Sequence, residues 1–288
     1  AIVQAQTRFE LEKQLHISYQ QAKKLAEHDT LTGLYNRYSF EEALQLNILQ
    51  KARDNSKLAL TLFDLDNFKF INDNYGHHIG DQILIQVSQR ISDCLRGNEV
   101  FARLGGDEFA IILTNLHTVD NATRVTTRIL NSLEAPFNIS GAKIHMTASI
   151  GIAVYPDSTL NANELLKHAD IAESGFDSET LVQHADIAMY RSKKLGRNQI
   201  CYFESEMQEQ FLQRYQIETN LIGAIARNEF TLHYQPIVNT SGSNVVGFEA
   251  LIRWNFQDQL LYPDSFISIA ENSRAIVDIG RWVIEQAI

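Results

Sequence analysis

Apolar and polar positions fall into blocks along the chain, each with its own period. Residues 1–27 contain neither Gly nor Pro, and Leu11, Leu15, Ser18, Ala22 and Leu25 recur at alternating four- and three-residue spacing. That period predicts a helix carrying a short heptad seam. The seam fits either a dimerising coiled coil or a lone amphipathic helix packed on its own domain. A polar connector, DTLTGLYNR at 29–37, follows, and helical periodicity returns over 40–52. Residues 57–63 (KLALTLF) have the composition of a buried strand and deliver Asp64 and Asp66 at its C-terminal end. The stretch 68–81 is polar and punctuated by glycine, and 82–95 reads as an amphipathic helix. Two apolar runs, 100–104 and 109–113, flank Gly105, Gly106, Asp107 and Glu108, the pattern of a β-hairpin. A helix over 119–133, two strand-like runs around Ser140 and Gly141, a helix ending in MYRSKKLGRN and a short strand at 200–203 complete the unit. Strands and helices in this order predict an α+β fold of the split-βαβ kind, with an antiparallel-containing sheet.

The character changes after a connecting helix at 204–225. FTLHYQPIV and VVGFEALIRW read as strands joined by a turn at SGSN, and 264–271 and 276–288 read as helices, so a second domain begins near residue 222. One internal repeat stands apart. HADIA at 168–172 recurs at 184–188, with Leu165 matching Leu181, an offset of sixteen residues. It is too short and isolated for a solenoid and reads as the tandem duplication of one helix segment, 165–188. Because MYRSKKLGRN continues the second copy, that copy is expected to form the main helix and the first an added helix-loop. The opposite assignment, with Lys193 and Arg197 on a displaced helix, stays open.

Composition narrows the function classes. With 288 residues, 44% hydrophobic and 21% charged, the chain can bury one large core or two ordinary ones. A net charge of −10 argues against non-specific binding to nucleic acid or anionic membrane, although a small nucleotide needs only a few local cations. Two cysteines, Cys94 and Cys201, give no disulfide framework and fit a reducing compartment, with the cytoplasm as the expected location. No apolar run reaches the length of a membrane span, and there is no signal-peptide pattern. The absence of an initial Met and an end inside a helical pattern read as a piece of something longer, with membrane tethering upstream left open.

The chemistry concentrates at the hairpin. Its tip sets two carboxylates, Asp107 and Glu108, beside two residues with no Cβ, where another group can approach the backbone. Such a tip is either a solvated acidic turn or a site for a hard cation such as Mg²⁺ completed by phosphate oxygens. Asp64, at a strand end, could meet these carboxylates on one edge of the sheet, the arrangement used for nucleotidyl transfer with divalent ions. Lys69, Lys193 and Arg197 supply cations for a triphosphate, and the last two stand four residues apart, as on one helix face.

GGDEF at 105–109, preceded by DTLTGLYNR and DLDNFKFINDNYGHHIGD and followed by SIGIAVYP and MYRSKKLGRN, resembles the GGDEF-family diguanylate cyclases over residues 28–204. YQPIV and FEALIRW are similar to the opening of an EAL domain, the cyclic di-GMP phosphodiesterase family. The resemblance implies a palm-like domain that binds one GTP and works as a dimer, each 3′-hydroxyl attacking the other nucleotide's α-phosphate to form cyclic di-GMP and pyrophosphate. It implies Mg²⁺ or Mn²⁺ held by Asp64, the Leu65 carbonyl and Asp107, with Glu108 as metal ligand or base. Asn72 and Asp81 read guanine; Phe68, Lys69, Gly105, Gly106, Lys193 and Arg197 face the phosphates. The family's product-inhibition motif, RxxD, reads Arg96-Gly97-Asn98-Glu99 here, with Glu in place of Asp. Gln235, Glu249 and Arg253 match EAL positions, but too little of a TIM-type barrel follows for phosphodiesterase activity in this chain. The expected organisation is a signalling helix at 1–27, the cyclase domain at 28–204, a linker helix at 205–221 and an EAL segment at 222–288. A regulatory domain that binds GTP without turnover is the alternative.

Overall fold

The computed structural model describes residues 2–54, 56–116, 119–156, 178–240, 244–257, 259–273 and 275–288. The first HADIA copy and part of the SGSN turn lie outside these residues. The chain divides into two compact units, 1–207 and 208–288.

The first unit is built on β1 (Lys57–Leu65), whose residues from Leu58 to Phe63 are all buried. Strands buried on both faces read as continuous apolar runs, as KLALTLF does. β2 (Val100–Gly105), β3 (Glu108–Leu116), β6 (Ala148–Tyr155) and β7 (Ile200–Tyr202) complete a sheet in the order β2-β3-β1-β6-β7. All neighbours are antiparallel except β6 and β7, so the sheet is mixed. The 137–155 region holds three strands rather than two, because β4 (Phe137–Ile139) and β5 (Ala142–Ile144) pair as a separate ribbon.

Two layers of helices cover the sheet. On one face Phe63 and Phe109 stack with ring centres 5.2 Å apart. They share a core with Ile83 and Val87 of α4 (His77–Cys94) and Ile129 of α5 (Val119–Glu134). On the other, α2 (Arg37–Asp54) buries Phe40, Leu44 and Ile48, while α6 (Ser178–Lys194) packs on β6 and β1. The polar stretch after β1 forms α3 (Phe68–Tyr75) and the first turn of α4, separated by Gly76.

α6 contains the second HADIA copy, with Leu181, His184, Ala185, Ile187 and Ala188 buried. Gly151 fixes its register. A Cβ there would lie 2.1 Å from the Ala185 carbonyl oxygen and 2.2 Å from the Met189 nitrogen, so the helix backbone rests directly on the strand. α1 (Ile2–Glu27) leaves Leu11, Leu15 and Leu25 about two-thirds exposed.

In the second unit, β8 (Phe230–Val238), β9 (Val245–Phe256) and β10 (Gln259–Leu261) form an antiparallel sheet. Trp254 and Phe230 pack there with Phe266 of α8 (Pro263–Glu271) and Ile279 of α9 (Ala275–Ala287). α7 (Ser205–Leu221) runs into this unit. Among the described residues no closed barrel is formed.

Candidate active site

The β1–β3 register sets Asp64 directly opposite Glu108. Directly opposed residues leave the same face of a sheet, here the face covered by α2 and α6. The tip between β2 and β3 turns through Gly105 (φ +145°) and Gly106 (φ +54°), backbone that L side chains rarely adopt. No described residue comes near either glycine's Cβ position, so among the described residues conformation alone demands them.

The tip is anchored from below. Arg103 donates through Nε and Nη2 to the Gly106 carbonyl (3.0 and 2.8 Å) and through Nη1 to both oxygens of Asp29 (3.1 and 3.2 Å). Asp29 also accepts from the Thr32 amide and hydroxyl. Burial pushes the Asp29 carboxyl up, but the Thr32 and Arg103 bonds outweigh it and hold its pKa below the ordinary carboxylate value. Asn36 donates to the Ala26 carbonyl at the end of α1 (2.7 Å), and Tyr35 pairs with β2. The 29–37 connector thus ties the N-terminal helix to the tip. Sequence reasoning assigned no role to Asp29, Arg37 or Arg103; the signal was the place of the first two at the ends of DTLTGLYNR and of Arg103 as a charge inside the apolar run 100–104, without anything to pair them. Arg37 donates to the Leu104 carbonyl (3.2 Å) and lies 3.7 Å from Glu108.

Lys193 Nζ lies 3.0 Å from Asp64 Oδ1. Burial, augmented by the charges of Asp107 and Glu108 and opposed by Lys193, pushes the Asp64 pKa up to about 6. Arg197 corrects the expectation of one shared helix face. α6 stops at Lys194, and Arg197 stands in a turn at φ +66°, with Asn198 at φ +46° and Gly196 at φ +119°. The two cations reach the same strand end by different routes, Arg197 Nε standing 3.9 Å from Asp66 Oδ1. Asp107 follows the glycines, and its carbonyl accepts from the Leu65 amide (3.3 Å).

Asn72 on α3 lies against Gly80 of α4, one residue before Asp81. Among the described residues Asn72 Oδ1 is buried without a hydrogen-bond partner, an uncommon state for a buried acceptor. Gly80 makes room for it, since a Cβ there would meet that oxygen at 2.0 Å. Asp81 is exposed, as is Lys69. The Phe68 ring is buried in the core, so of this residue only the backbone, at the start of α3, faces outward. Glu99 accepts from the Arg96 amide (2.8 Å), a local cap at the end of the α4–β2 connection. In the second unit Gln235 and Glu249 face each other across β8 and β9, and Arg253 lies 4.7 Å over the Tyr262 ring.

A cleft of about 710 Å³ between α2, α6 and the sheet meets this constellation at Arg37 and Glu108; its walls, which also include Glu41 and Asp186, do not include Asn72 or Asp81. The described residues contain no group of three or more His, Cys, Asp or Glu side chains that could hold a metal ion. Two carboxylates beside the backbone of Gly105 and Gly106 nevertheless match what Mg²⁺ uses, one or two carboxylates with the remaining positions filled by phosphates and water.

The family model described as "Diguanylate cyclase, GGDEF domain" matches residues 26–174, just over half of the chain, and the EAL domain model matches 218–288. The first match ends just after the first HADIA copy; the second copy lies beyond it and packs on the sheet. MucR of Pseudomonas aeruginosa, named a bifunctional diguanylate cyclase/cyclic di-GMP phosphodiesterase, is 38% identical over 92% of this chain and 36% of its own length. PdeR of Escherichia coli, named a cyclic di-GMP phosphodiesterase, is 39% identical over 90% of this chain and 36% of its own. The chain thus spans about a third of the length of these relatives. Among solved structures, the GGDEF domain of TpbB (YfiN) from Pseudomonas aeruginosa has a TM-score of 0.57 at 34% identity, covering 64% of this chain and 99% of that one. The coiled coil and GGDEF domain of DgcB from Caulobacter crescentus, in complex with c-di-GMP, has a TM-score of 0.58 at 25% identity, covering 69% and 96%. This chain belongs to the GGDEF diguanylate cyclase domain family, and its GGDEF domain is followed by part of an EAL domain.

Proposed function

We propose that the first unit condenses two GTP molecules into cyclic di-GMP, each chain supplying half of the site. The observation that carries this reading is the meeting of Asp64, Glu108 and Lys193 at one sheet edge, below a glycine tip held by Arg103. The buried acceptor of Asn72 supports guanine as the base, because guanine offers an N2–H donor there and adenine offers none. Asp81 would accept from N1–H and N2–H. The amides that open α3 and the side chain of Lys69 suit phosphate oxygens. Asp64, the Leu65 carbonyl and Asp107 would hold Mg²⁺ or Mn²⁺, which when bound supplies neutralisation of phosphate charge and a clamp on the attacking and leaving oxygens. Lys193 would leave Asp64 for the phosphates, and Arg197 would join it. Glu108, restrained by Arg37, would assist as ligand or as base for the 3′-hydroxyl. Positioning and charge stabilisation then carry the rate.

Incubation with GTP and Mg²⁺ should give cyclic di-GMP and pyrophosphate, with the Asp107→Ala chain at least about a hundredfold slower. The PdeR resemblance favours a second reading, a domain that binds GTP and regulates an EAL domain without turnover. Tight GTP binding with no cyclic di-GMP formed would sink the first reading and leave the second.

The domain organisation proposed here treats the first HADIA copy as an insertion. Deleting residues 162–177 joins Asn161 to Ser178 and leaves one copy. Loop-closure entropy changes by less than about 1 kcal/mol for such a cut, so folding and GTP turnover should survive it. A melting curve and an activity assay check this; an unfolded or inactive product would show that both copies are required.

A further inference from the structure

The geometry points to Asp66 as the positioning residue of the phosphate clamp, an inference that rests on the nucleotide reading above. Asp66 stands two residues beyond the strand-end carboxylate Asp64, and a DLD pair at a phosphate site invites assignment of both carboxylates to metal. The structure separates them. The Asp66 side chain is 1% exposed and both of its oxygens are committed. Oδ1 accepts from the Ser149 hydroxyl (2.7 Å), and Oδ2 accepts from the Thr147 hydroxyl (2.7 Å) and the Asn198 amide (3.2 Å). The Asp66 amide in turn donates to the Thr147 carbonyl (2.9 Å).

What this anchor holds is strained. Gly196, Arg197 and Asn198 are three successive residues at positive φ, and the two that carry a Cβ each cost about 1 kcal/mol or more in that region. Such backbone persists only where its surroundings over-determine it. One side of the turn is tied to α6: the Arg197 amide donates to the Ser192 carbonyl (3.1 Å), and the buried Ser192 hydroxyl donates to the Gln199 carbonyl (2.7 Å). Gln199 returns a bond to the Ser192 carbonyl (2.9 Å). The other side is tied to the sheet by Asp66 through the Asn198 amide and the Arg197 guanidinium. Asp66 therefore sets where the guanidinium starts from and how far it swings to reach a phosphate, while touching no substrate itself.

The test compares binding of GTP and of guanosine, which lacks phosphates, to the wild-type chain and to Asp66→Ala, Asp66→Asn, Arg197→Ala and the Asp66→Ala/Arg197→Ala double variant. Asp66→Ala should raise the GTP Kd about tenfold, the scale of one lost charged hydrogen bond, and leave guanosine binding unchanged. Asp66→Asn, which keeps one oxygen acceptor, should fall between that variant and wild type and covers the case in which the alanine variant does not fold. The double variant should bind GTP no more weakly than Arg197→Ala alone. Equal losses for GTP and guanosine, or losses that add in the double variant, would overturn the inference and leave Asp66 a purely structural residue. Unchanged GTP binding in Arg197→Ala alone would instead remove the phosphate clamp, and this inference with it.

Discussion

Replacing Asp64 with asparagine is expected to slow cyclic di-GMP formation by about a thousandfold or more while making the GGDEF domain more stable above pH 6. The two effects share one cause. The Asp64 carboxylate is 15% exposed, and its burial beside the charges of Asp107 and Glu108 raises its pKa to about 6, against 3.8 for an ordinary aspartate. A folded-state pKa above the unfolded one favours the protonated form of the native state. The corresponding stability is fully present below about pH 4 and is lost as pH rises through 6. Lys193, at 3.0 Å, recovers only part of that loss. Asparagine carries no charge and escapes it. The variant's advantage in chemical denaturation should therefore grow between pH 4 and 6 and level off above, at about 1–2 kcal/mol once solvent screening is allowed for. A flat difference across that range, or turnover within tenfold of wild type, would remove Asp64 from the role assigned to it.

Gly80→Ala should weaken GTP binding about tenfold or more and bring the GTP and ATP affinities together. Gly80 lies inside α4, where glycine costs roughly 1 kcal/mol relative to alanine, so on helix propensity alone the substitution should stabilise. The new Cβ, however, would sit 2.0 Å from Asn72 Oδ1 and 3.2 Å from the Phe68 ring. The Phe68 ring is locked in the core, so the Asn72 amide must turn away. That removes the buried acceptor proposed for guanine, a loss of about 1–3 kcal/mol that exceeds the helix gain. Calorimetric titration with both nucleotides measures the outcome. An unchanged preference for GTP over ATP would place base recognition elsewhere.

Much of this was legible in the chain. Residues 57–63 announced a buried strand, and two apolar runs around Gly105 and Gly106 announced a hairpin; that β1 pairs with β3, setting Asp64 opposite Glu108, came from the structure. The motifs identified the family because five of them stand in order. What escaped was whatever depends on contacts distant in sequence. Arg103 and Asp29 are seventy-four residues apart. Asp66 and Asn198 are one hundred and thirty-two apart, and neither residue shows by its own composition that it is buried or strained. The i, i+4 spacing of Lys193 and Arg197 misled, because Gly196 ends the helical path before the second cation. Residues 68–75 read only as a polar stretch because, of this helix, just Phe68 and Ile71 are buried.

The duplicated segment shows the limit most plainly. Leu, His, Ala, Asp, Ile and Ala occur identically in both copies, so either suits the bed made by Gly151. The following residues separate them: Met189, Ser192 and Lys193 in the second copy correspond to Glu173, Phe176 and Asp177 in the first. Met189 and Ser192 are buried and Lys193 reaches Asp64, so docking the second copy delivers a cation where the first would deliver an acid.

The central claim is that each chain holds half of an active site. It is tested most directly by measuring cyclic di-GMP formation and molecular mass on the same samples across a dilution series in GTP and Mg²⁺. Activity per chain should follow the fraction of dimer and vanish where the chain is monomeric. Undiminished activity in monomeric samples, or bound GTP left unconverted where dimers dominate, would contradict it.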